Sequence, residues 1–136
     1  MPVSGSAKLQ GAVLLCIDDD EEVLECEKSF LESFGYTVLT AASGSQGLEL
    51  ASLHLVDVVI VDYLMPEMNG QEVAMKMRRL IPEVPIIMLS ATIDVPEQIL
   101  ILVDGFIAKD SLASQLLPMI AQLHRCGSTS PPSYDA

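Results

Sequence analysis

Short runs of apolar residues alternate along the chain with longer stretches in which apolar residues recur at helical spacing. The short runs lie at residues 13–17, 37–40, 56–61, 85–89 and 105–108, and several of them are rich in β-branched side chains. Runs of this length and composition are typical of strands that are buried on both faces of a parallel sheet. The pattern therefore predicts five buried strands.

The stretches between these runs favour helices. Apolar residues at positions 23, 26, 30 and 34 predict one face of a first helix, and Gly35 is placed to end it. Two more helices are predicted over residues 43–53 and 70–80, followed by a short one that Pro96 can open. A last helix either begins near Ser114 or kinks at Pro118, because proline inside a helix removes a backbone hydrogen bond.

This alternation predicts an α/β fold with a doubly wound parallel sheet and helices on both faces. A chain of 136 residues is long enough for one domain of this kind, and we expect the domain to cover residues 11–126. Residues 1–10 are small and polar, and residues 127–136 are rich in Ser and Pro. Both ends are therefore expected to be flexible tails.

Charge and cysteine content narrow the classes of function. Seven basic residues against nineteen acidic ones give a net charge of −12, which disfavours direct binding to nucleic acid or to an anionic membrane surface. Three cysteines without metal-binding spacing indicate reduced thiols in a cytoplasmic protein. No apolar run approaches the ~18 residues of a membrane span, and no cleavage site follows the first run, so we expect neither insertion nor secretion.

Polar residues follow four of the predicted strands at the point where each strand ends. They are the acidic cluster at residues 18–20, the carboxylate Asp62, the alcohol Ser90 and the amine Lys109. Ligands of such sheets bind beyond the carboxyl ends of the strands, so these side chains should meet at one edge. Clustered carboxylates select a hard cation, Mg²⁺ or Mn²⁺, while an alcohol and an ammonium suit phosphoryl oxygens. The set predicts phosphoryl transfer with a carboxylate as candidate acceptor.

The motifs around these residues resemble response-regulator receiver domains of two-component, phosphorelay signal transduction. The matching pieces are LLCIDDDEEV, GYTVLTAASG, VDVVIVDYLMPEMNGQEV, PIIMLSA and GFIAK, in this order over residues 13–125. The resemblance implies a flavodoxin-like sheet with strand order 2-1-3-4-5. It also implies a signalling domain that takes a phosphoryl group from a histidine kinase or phosphotransfer protein and switches a surface for a downstream protein target. Such a domain catalyses only its own phosphorylation and dephosphorylation.

The same resemblance implies a role for each matching residue. It makes Asp62 the phosphoacceptor and leaves Asp20 outside the acidic pair, where it is expected to cap the first helix. The implied metal ligands are Asp18, Asp19, Asp62 and the backbone carbonyl of Leu64, the implied catalytic partners are Ser90 and Lys109, and the implied switch residues are Ser90 and Phe106.

Two stretches depart from the family pattern. Asp110 follows Lys109 where the family has proline in a cis peptide. A cis bond before a non-proline residue costs about 3 kcal/mol, so we expect a trans bond and a differently aimed lysine. The chain before Lys109 is also short, and its apolar run at residues 99–103 lacks a polar face. It predicts either a short helix buried all round or a partly exposed surface, with a homodimer through residues 96–125 as one use of it.

Two other interpretations stay open from the sequence. A degenerate receiver would bind partners without being phosphorylated, which the missing proline and the short fourth helix favour. A small phosphatase of the haloacid-dehalogenase kind would use Asp18 as nucleophile and Asp20 as acid. For a phosphorylated receiver, the apolar Leu64 two residues after Asp62 predicts slow self-hydrolysis. No output domain follows Arg125 in this sequence, so we expect a stand-alone regulator that acts by protein contact, unless the sequence is a fragment of a longer protein.

Overall fold

The structure is a computed structural model that describes residues 12–66, 68–91 and 95–128, with the backbone alone beyond residue 124. The predicted tail at residues 1–10 lies outside these ranges, as do residues 129–136 of the other predicted tail. The site residues predicted from the sequence all lie inside these ranges.

Five parallel strands form the centre of the described chain. They are β1 Val13–Ile17, β2 Thr37–Ala41, β3 Val58–Asp62, β4 Ile86–Ser90 and β5 Gly105–Ala108. The strands hydrogen-bond in the order β2-β1-β3-β4-β5, and every neighbouring pair is parallel. This order confirms the predicted doubly wound α/β fold, since β2 and β3 lie on either side of β1 and the sheet continues from β3 through β4 to β5.

Helices connect the strands, as the periodicity predicts. They are α1 Glu21–Glu32, α2 Gly44–Leu53, α3 Gly70–Leu80, α4 Glu97–Leu100 and α5 Leu112–Ser128, with a 3₁₀ turn Lys109–Ser111 before α5. Ser43 caps α2 by accepting a hydrogen bond from the backbone N–H of Gln46. Gly35 follows α1 with φ of 98°, a backbone conformation that favours glycine. Within the described ranges, none of the helices has the length and apolarity that crossing a bilayer requires.

Two apolar clusters cover the two faces of the sheet. In β1, Leu14 and Cys16 belong to one cluster, and Leu15 and Ile17 belong to the other. The first of these clusters includes buried residues of α1 and α5, and the second includes buried residues of α2, α3 and α4. Successive strand residues point to opposite faces, so burial of both faces explains why the strands are continuous apolar runs in the sequence.

The fourth helix differs most from its sequence pattern. Pro96 precedes it as predicted, but the helix ends at Leu100 after a single turn. Ile99 is only 2% exposed whereas Ile101 is 80% exposed, so the apolar run is not buried all round. The prediction that part of this run is exposed is confirmed, while its use by a partner or a second copy stays a prediction.

The last helix contains its proline without ending there. It begins at Leu112, within two residues of the predicted start, and continues past Pro118 to Ser128. Proline at this position removes the hydrogen bond that the carbonyl of Ser114 would accept. Ser114 is exposed, so water can satisfy that carbonyl.

Arg78 of α3 connects the segment before β5 to the sheet. Its guanidinium donates hydrogen bonds to the carbonyls of Val84 at 3.2 Å and Leu102 at 2.9 Å, and to the carboxylate of Asp104 at 2.8 Å. The same Asp104 oxygen accepts a hydrogen bond from the backbone N–H of Ile86 at 2.8 Å. One arginine therefore holds the short α4 segment against the start of β4.

We expect Arg78→Met to lower the free energy of unfolding by about 1–2 kcal/mol, because three hydrogen bonds of a charged group are lost while the partly exposed site readmits water. Urea denaturation measures the loss. The neighbouring Arg79 is exposed, so Arg79→Met is the matched control and should change stability by no more than about 0.5 kcal/mol. Equal losses in both variants would show that the Arg78 contacts contribute nothing specific.

Candidate functional site

The polar side chains that end the strands meet at one edge of the sheet, as predicted. Asp18 directly follows β1, Asp62 is the last residue of β3, Ser90 is the last residue of β4, and Lys109 directly follows β5. Strands β3 and β4 each extend one residue further than their apolar runs, so Asp62 and Ser90 are strand residues rather than the first loop residues. Both side chains are therefore held by the sheet itself.

Three carboxylates form the centre of this site. One oxygen from each of Asp18, Asp19 and Asp62 lies within 4.8 Å of the other two. Asp18 and Asp62 are 2% and 5% exposed, whereas Asp19 faces solvent. Negative charges this close repel one another unless a cation joins them. A set of oxygen donors at this spacing fits a hard divalent cation such as Mg²⁺.

Asp18 is oriented by the backbone of two neighbouring elements. Its Oδ1 accepts a hydrogen bond from the N–H of Asp20 at 2.9 Å, at the start of α1. Its own N–H donates to the carbonyl of Ala41, the last residue of β2, at 3.1 Å. The remaining oxygen, Oδ2, faces the ammonium of Lys109 at 3.4 Å. The sheet and the helix thus fix this carboxylate next to the lysine.

Lys109 supplies the cation within the cluster. Its Nζ lies 3.0 Å from Oδ1 of Asp62 and 3.4 Å from Oδ2 of Asp18. The described residues contain no cis peptide bond, so the bond to Asp110 is trans as predicted. The expectation of a differently aimed lysine stays a prediction, while the contacts above show that its ammonium reaches the acidic cluster. The chain enters a 3₁₀ turn at Lys109, and from there the long flexible side chain reaches both carboxylates.

The charges of the cluster are unevenly balanced. Burial, and after it the negative charge of Asp18, raises the pKa of Asp62. The hydrogen bond from Lys109 lowers that pKa, but not enough to bring it back to its ordinary value. Burial lowers the pKa of Lys109, but its hydrogen bond to Asp62 and the negative charges of Asp62 and Asp18 have a larger effect. The pKa of Lys109 is therefore above its ordinary value. One ammonium serves three carboxylates, and the site keeps an excess of negative charge at neutral pH.

The other predicted site residues lie on β4, on β5 and beside β3. Ser90 is 1% exposed and is paired in register with Ala108 at the end of β5. Phe106 is half-buried and packs against the apolar cluster that contains β3 residues. The side chain of Leu64, two residues after Asp62, is 62% exposed. The switch roles of Ser90 and Phe106 and the metal-binding role of the Leu64 carbonyl stay predictions.

Asp20 is engaged in a different task, as the sequence predicts. Its carboxylate accepts hydrogen bonds from the backbone N–H groups of Glu22 at 3.0 Å and Val23 at 3.4 Å, which caps α1. A carboxylate committed to a helix end is poorly placed to act as an acid beside Asp18. The phosphatase interpretation, which needs Asp20 in that role, is therefore not favoured.

Glu27, an acidic residue near the site, was not predicted, and the predicted buried face of α1 is wrong. The buried residues of α1 are Leu24, Glu27 and Leu31, one position away from the predicted face, and the predicted core residue Phe34 is 58% exposed. The spacing of Leu24 and Leu31 is consistent with a buried helix face, but a glutamate between them predicts an exposed position, because glutamate is rarely buried.

Glu27 is an unusual carboxylate because it is only 5% exposed. The thiol of Cys16 in β1 hydrogen-bonds to it. Burial, followed by the negative charge of Asp18, raises the pKa of Glu27 to about 7. In turn, burial and the charge of Glu27 raise the pKa of the Cys16 thiol well above its ordinary value.

Comparisons with known proteins agree with this geometry. The family model for the response regulator receiver domain matches residues 14–121. Transcriptional regulatory protein GlrR of Escherichia coli (strain K12) is 38% identical over 88 residues, which are 65% of this chain and 20% of that protein. Response regulator SaeR of Staphylococcus aureus (strain USA300) is 33% identical over 78 residues, which are 57% of this chain and 34% of that protein. The chain spans about a third or less of these curated relatives.

Solved structures resemble most of the chain. A response regulator receiver domain protein from Clostridium thermocellum superposes with a TM-score of 0.78 at 29% identity, covering 85% of this chain and 96% of that one. Response regulator TrrA from Thermotoga maritima, solved in complex with Mg²⁺-BeF, gives a TM-score of 0.78 at 27% identity, covering 83% and 99% of the two chains.

Proposed function

Since the chain belongs to the family of response regulator receiver domains, we propose that it is the phosphoacceptor domain of a two-component system and that Asp62 takes the phosphoryl group. The observation that carries this proposal is the contact between Asp62 and Lys109 at 3.0 Å beside the acidic pair. The donor would be the phosphohistidine of a histidine kinase or phosphotransfer protein. The domain signals rather than acting on a separate substrate, and it catalyses only its own phosphorylation and dephosphorylation.

The proposed reaction is attack by a carboxylate oxygen of Asp62 on phosphorus. An O–P bond forms to Asp62 while the N–P bond of phosphohistidine, or the O–P bond of a small phosphodonor, breaks. A carboxylate attacks an anionic phosphoryl group poorly, so alignment and charge neutralisation must supply most of the rate. Lys109 can provide the neutralisation because its ammonium already lies beside Asp62.

The residues that would hold a divalent cation are Asp18, Asp19, Asp62 and the backbone carbonyl of Leu64. The three carboxylates fit Mg²⁺, or Mn²⁺, because each offers an oxygen within 4.8 Å of the others. A bound cation supplies further positive charge for the oxygens of the incoming phosphoryl group. The Mg²⁺-BeF complex of the similar protein TrrA supports this assignment.

Ser90 and Phe106 would convert phosphorylation into a change of surface. In this proposal the Ser90 hydroxyl contacts a phosphoryl oxygen, and the half-buried side chain of Phe106 changes position in response. The surface that changes would serve a downstream protein target, and the exposed apolar Leu100 and Ile101 are a candidate contact for it or for a homodimer. The degenerate alternative is not favoured, because Lys109 reaches Asp62 without the family proline.

A cytoplasmic location forms part of this proposal. The two cysteines whose side chains the structure describes, Cys16 and Cys26, are both free thiols. Free thiols, one of them exposed on α1, suit a reducing compartment.

Intact mass after incubation with a small phosphodonor and Mg²⁺ tests the central claim. The wild type should gain the mass of one phosphoryl group, and Asp62→Asn should gain none. Asp20→Asn is the matched control, because asparagine also caps a helix and that residue lies outside the cluster. A gain in Asp62→Asn, or no gain in the wild type, would refute the assignment of Asp62.

The phosphorylated protein should lose its phosphoryl group slowly, because the exposed apolar Leu64 beside Asp62 gives the attacking water no hydrogen bond. We expect Leu64→Asn to speed the loss by about tenfold, the effect of one added hydrogen bond in the transition state. The mass decay after removal of the phosphodonor measures the rate. Leu53→Asn, at a similarly exposed leucine at the end of α2, should leave it unchanged. A wild-type lifetime of seconds would contradict the prediction.

A further inference from the structure

Glu27 is a buried carboxylate near the proposed phosphorylation site that takes no part in the proposed phosphoryl transfer. It lies on the buried face of α1 between Leu24 and Leu31. Its Oε2 has no hydrogen-bond partner among the described residues, and the carboxylate is contacted by the thiol of Cys16. A buried carboxylate with an unsatisfied oxygen is costly. The fold therefore keeps a destabilising polar group at a position where leucine neighbours would suit an apolar one.

Glu27 and Lys109 share a cavity. Both residues line a space of about 320 Å³ between α1 and the start of α5, together with the apolar side chains of Phe30, Leu112 and Leu116. Lys109 therefore lines this space and also places its ammonium in contact with Asp62 and Asp18. The walls of this space are mostly apolar and Glu27 is buried, and the charge of Lys109 lowers the pKa of Glu27, so the two opposite charges attract each other.

Several charged or titratable groups face Glu27 from neighbouring elements. They are Cys16 and Asp18 at β1, Asp62 at the end of β3 and Lys109 after β5, while Cys26 and Asp110 line the shared cavity. Carboxylates outnumber the single ammonium in this set. Mainly because of burial, and then because of Asp18, the pKa of Glu27 is raised to about 7. Its charge therefore changes within the range of neutral pH.

We propose that Glu27 is a positioning residue that controls how firmly Lys109 is held at Asp62. This inference rests on the proposed function of Asp62. When Glu27 is neutral, the ammonium of Lys109 serves Asp62, Asp18 and the arriving phosphoryl group. When Glu27 is ionised, it attracts the ammonium toward the cavity and adds negative charge near the site. Both effects oppose the approach of an anionic phosphoryl group, so Asp62 is phosphorylated faster while Glu27 keeps its proton.

The pH profile of phosphorylation tests this role at saturating Mg²⁺, with a phosphodonor whose own charge is constant over the range. The wild-type rate should fall by about fivefold between about pH 6 and pH 8, the size expected for roughly 1 kcal/mol of added repulsion. Glu27→Gln keeps the shape but cannot ionise, so its rate should stay high at both values. Glu27→Met, which is also uncharged, should give the same flat profile. Glu25→Gln, at an exposed residue of the same helix, should keep the wild-type profile.

A second measurement does not depend on phosphorylation. The ¹³C NMR shift of Cε in Lys109 should titrate with a midpoint near that of Glu27, about 7, and this step should vanish in Glu27→Gln. A Lys109 shift without that step, or one that persists in Glu27→Gln, overturns the positioning role even if Asp62 is phosphorylated. A Lys109 response in a protein that gains no phosphoryl group would support the coupling and overturn the proposed function of Asp62 instead.

Discussion

Lys109→Met should slow the phosphorylation of Asp62 by about two to three orders of magnitude, the cost of removing one preorganised donor from a developing anion. The ammonium lies 3.0 Å from Oδ1 of Asp62 and is the cation nearest the acidic cluster in the described structure. Without it, the carboxylates of Asp18 and Asp62 repel both each other and the incoming phosphoryl group. A time course of intact mass with a small phosphodonor and Mg²⁺ measures the loss.

Two further variants separate this effect from general loss of positive charge. Lys28→Met removes an exposed lysine of α1 and should leave the rate within about twofold, because exposed charges far from the site are screened by solvent. Lys109→Arg keeps the charge but replaces a compact ammonium by a planar fork, so it should restore part of the rate. A rate for Lys109→Met within threefold of wild type would show that Lys109 does not neutralise the phosphoryl charge.

The fold and the acidic cluster could be predicted because strands that are buried on both faces appear in the sequence as runs of consecutive apolar residues. The apolar residues of β1 and β3 are consecutive, at residues 13–17 and 58–61, and each stretch is followed by an acidic residue, Asp18 or Asp62, at the carboxyl end of the strand. Placement at one edge then follows from the parallel topology alone. No side-chain contact has to be known to bring these carboxylates together.

The details that could not be predicted depend on contacts between elements distant in sequence. Lys109 begins a 3₁₀ turn and reaches carboxylates at the ends of two other strands, and the chain after α4 is bound by Arg78, which donates to the Leu102 carbonyl from another helix. The buried face of α1 was misplaced because Glu27 breaks its apolar period. A buried glutamate can be recognised only once its partner, Cys16, and the neighbouring carboxylates are seen together.

Glu27→Gln should stabilise the protein by up to about 3 kcal/mol at about pH 8, since each unit of pKa shift corresponds to 1.36 kcal/mol. The pKa of Glu27 is raised from 4.5 to about 7, first by burial. Between these values the folded protein holds a proton that the unfolded chain has released, so the stability that Glu27 contributes falls as the pH rises. The contribution is complete below about 4.5 and is lost above about 7. Glutamine removes this loss because it cannot ionise.

The difference between Glu27→Gln and wild type should therefore depend on pH. Urea denaturation at a series of pH values, with the metal content held constant, should show the two proteins converging as the pH approaches about 4.5. Glu25→Gln, at an exposed residue of the same helix, should follow the wild-type curve throughout. A stability gain that is the same at every pH would mean that glutamine improves packing rather than removing a buried charge. Glu27 would then carry no charge that could influence the position of Lys109.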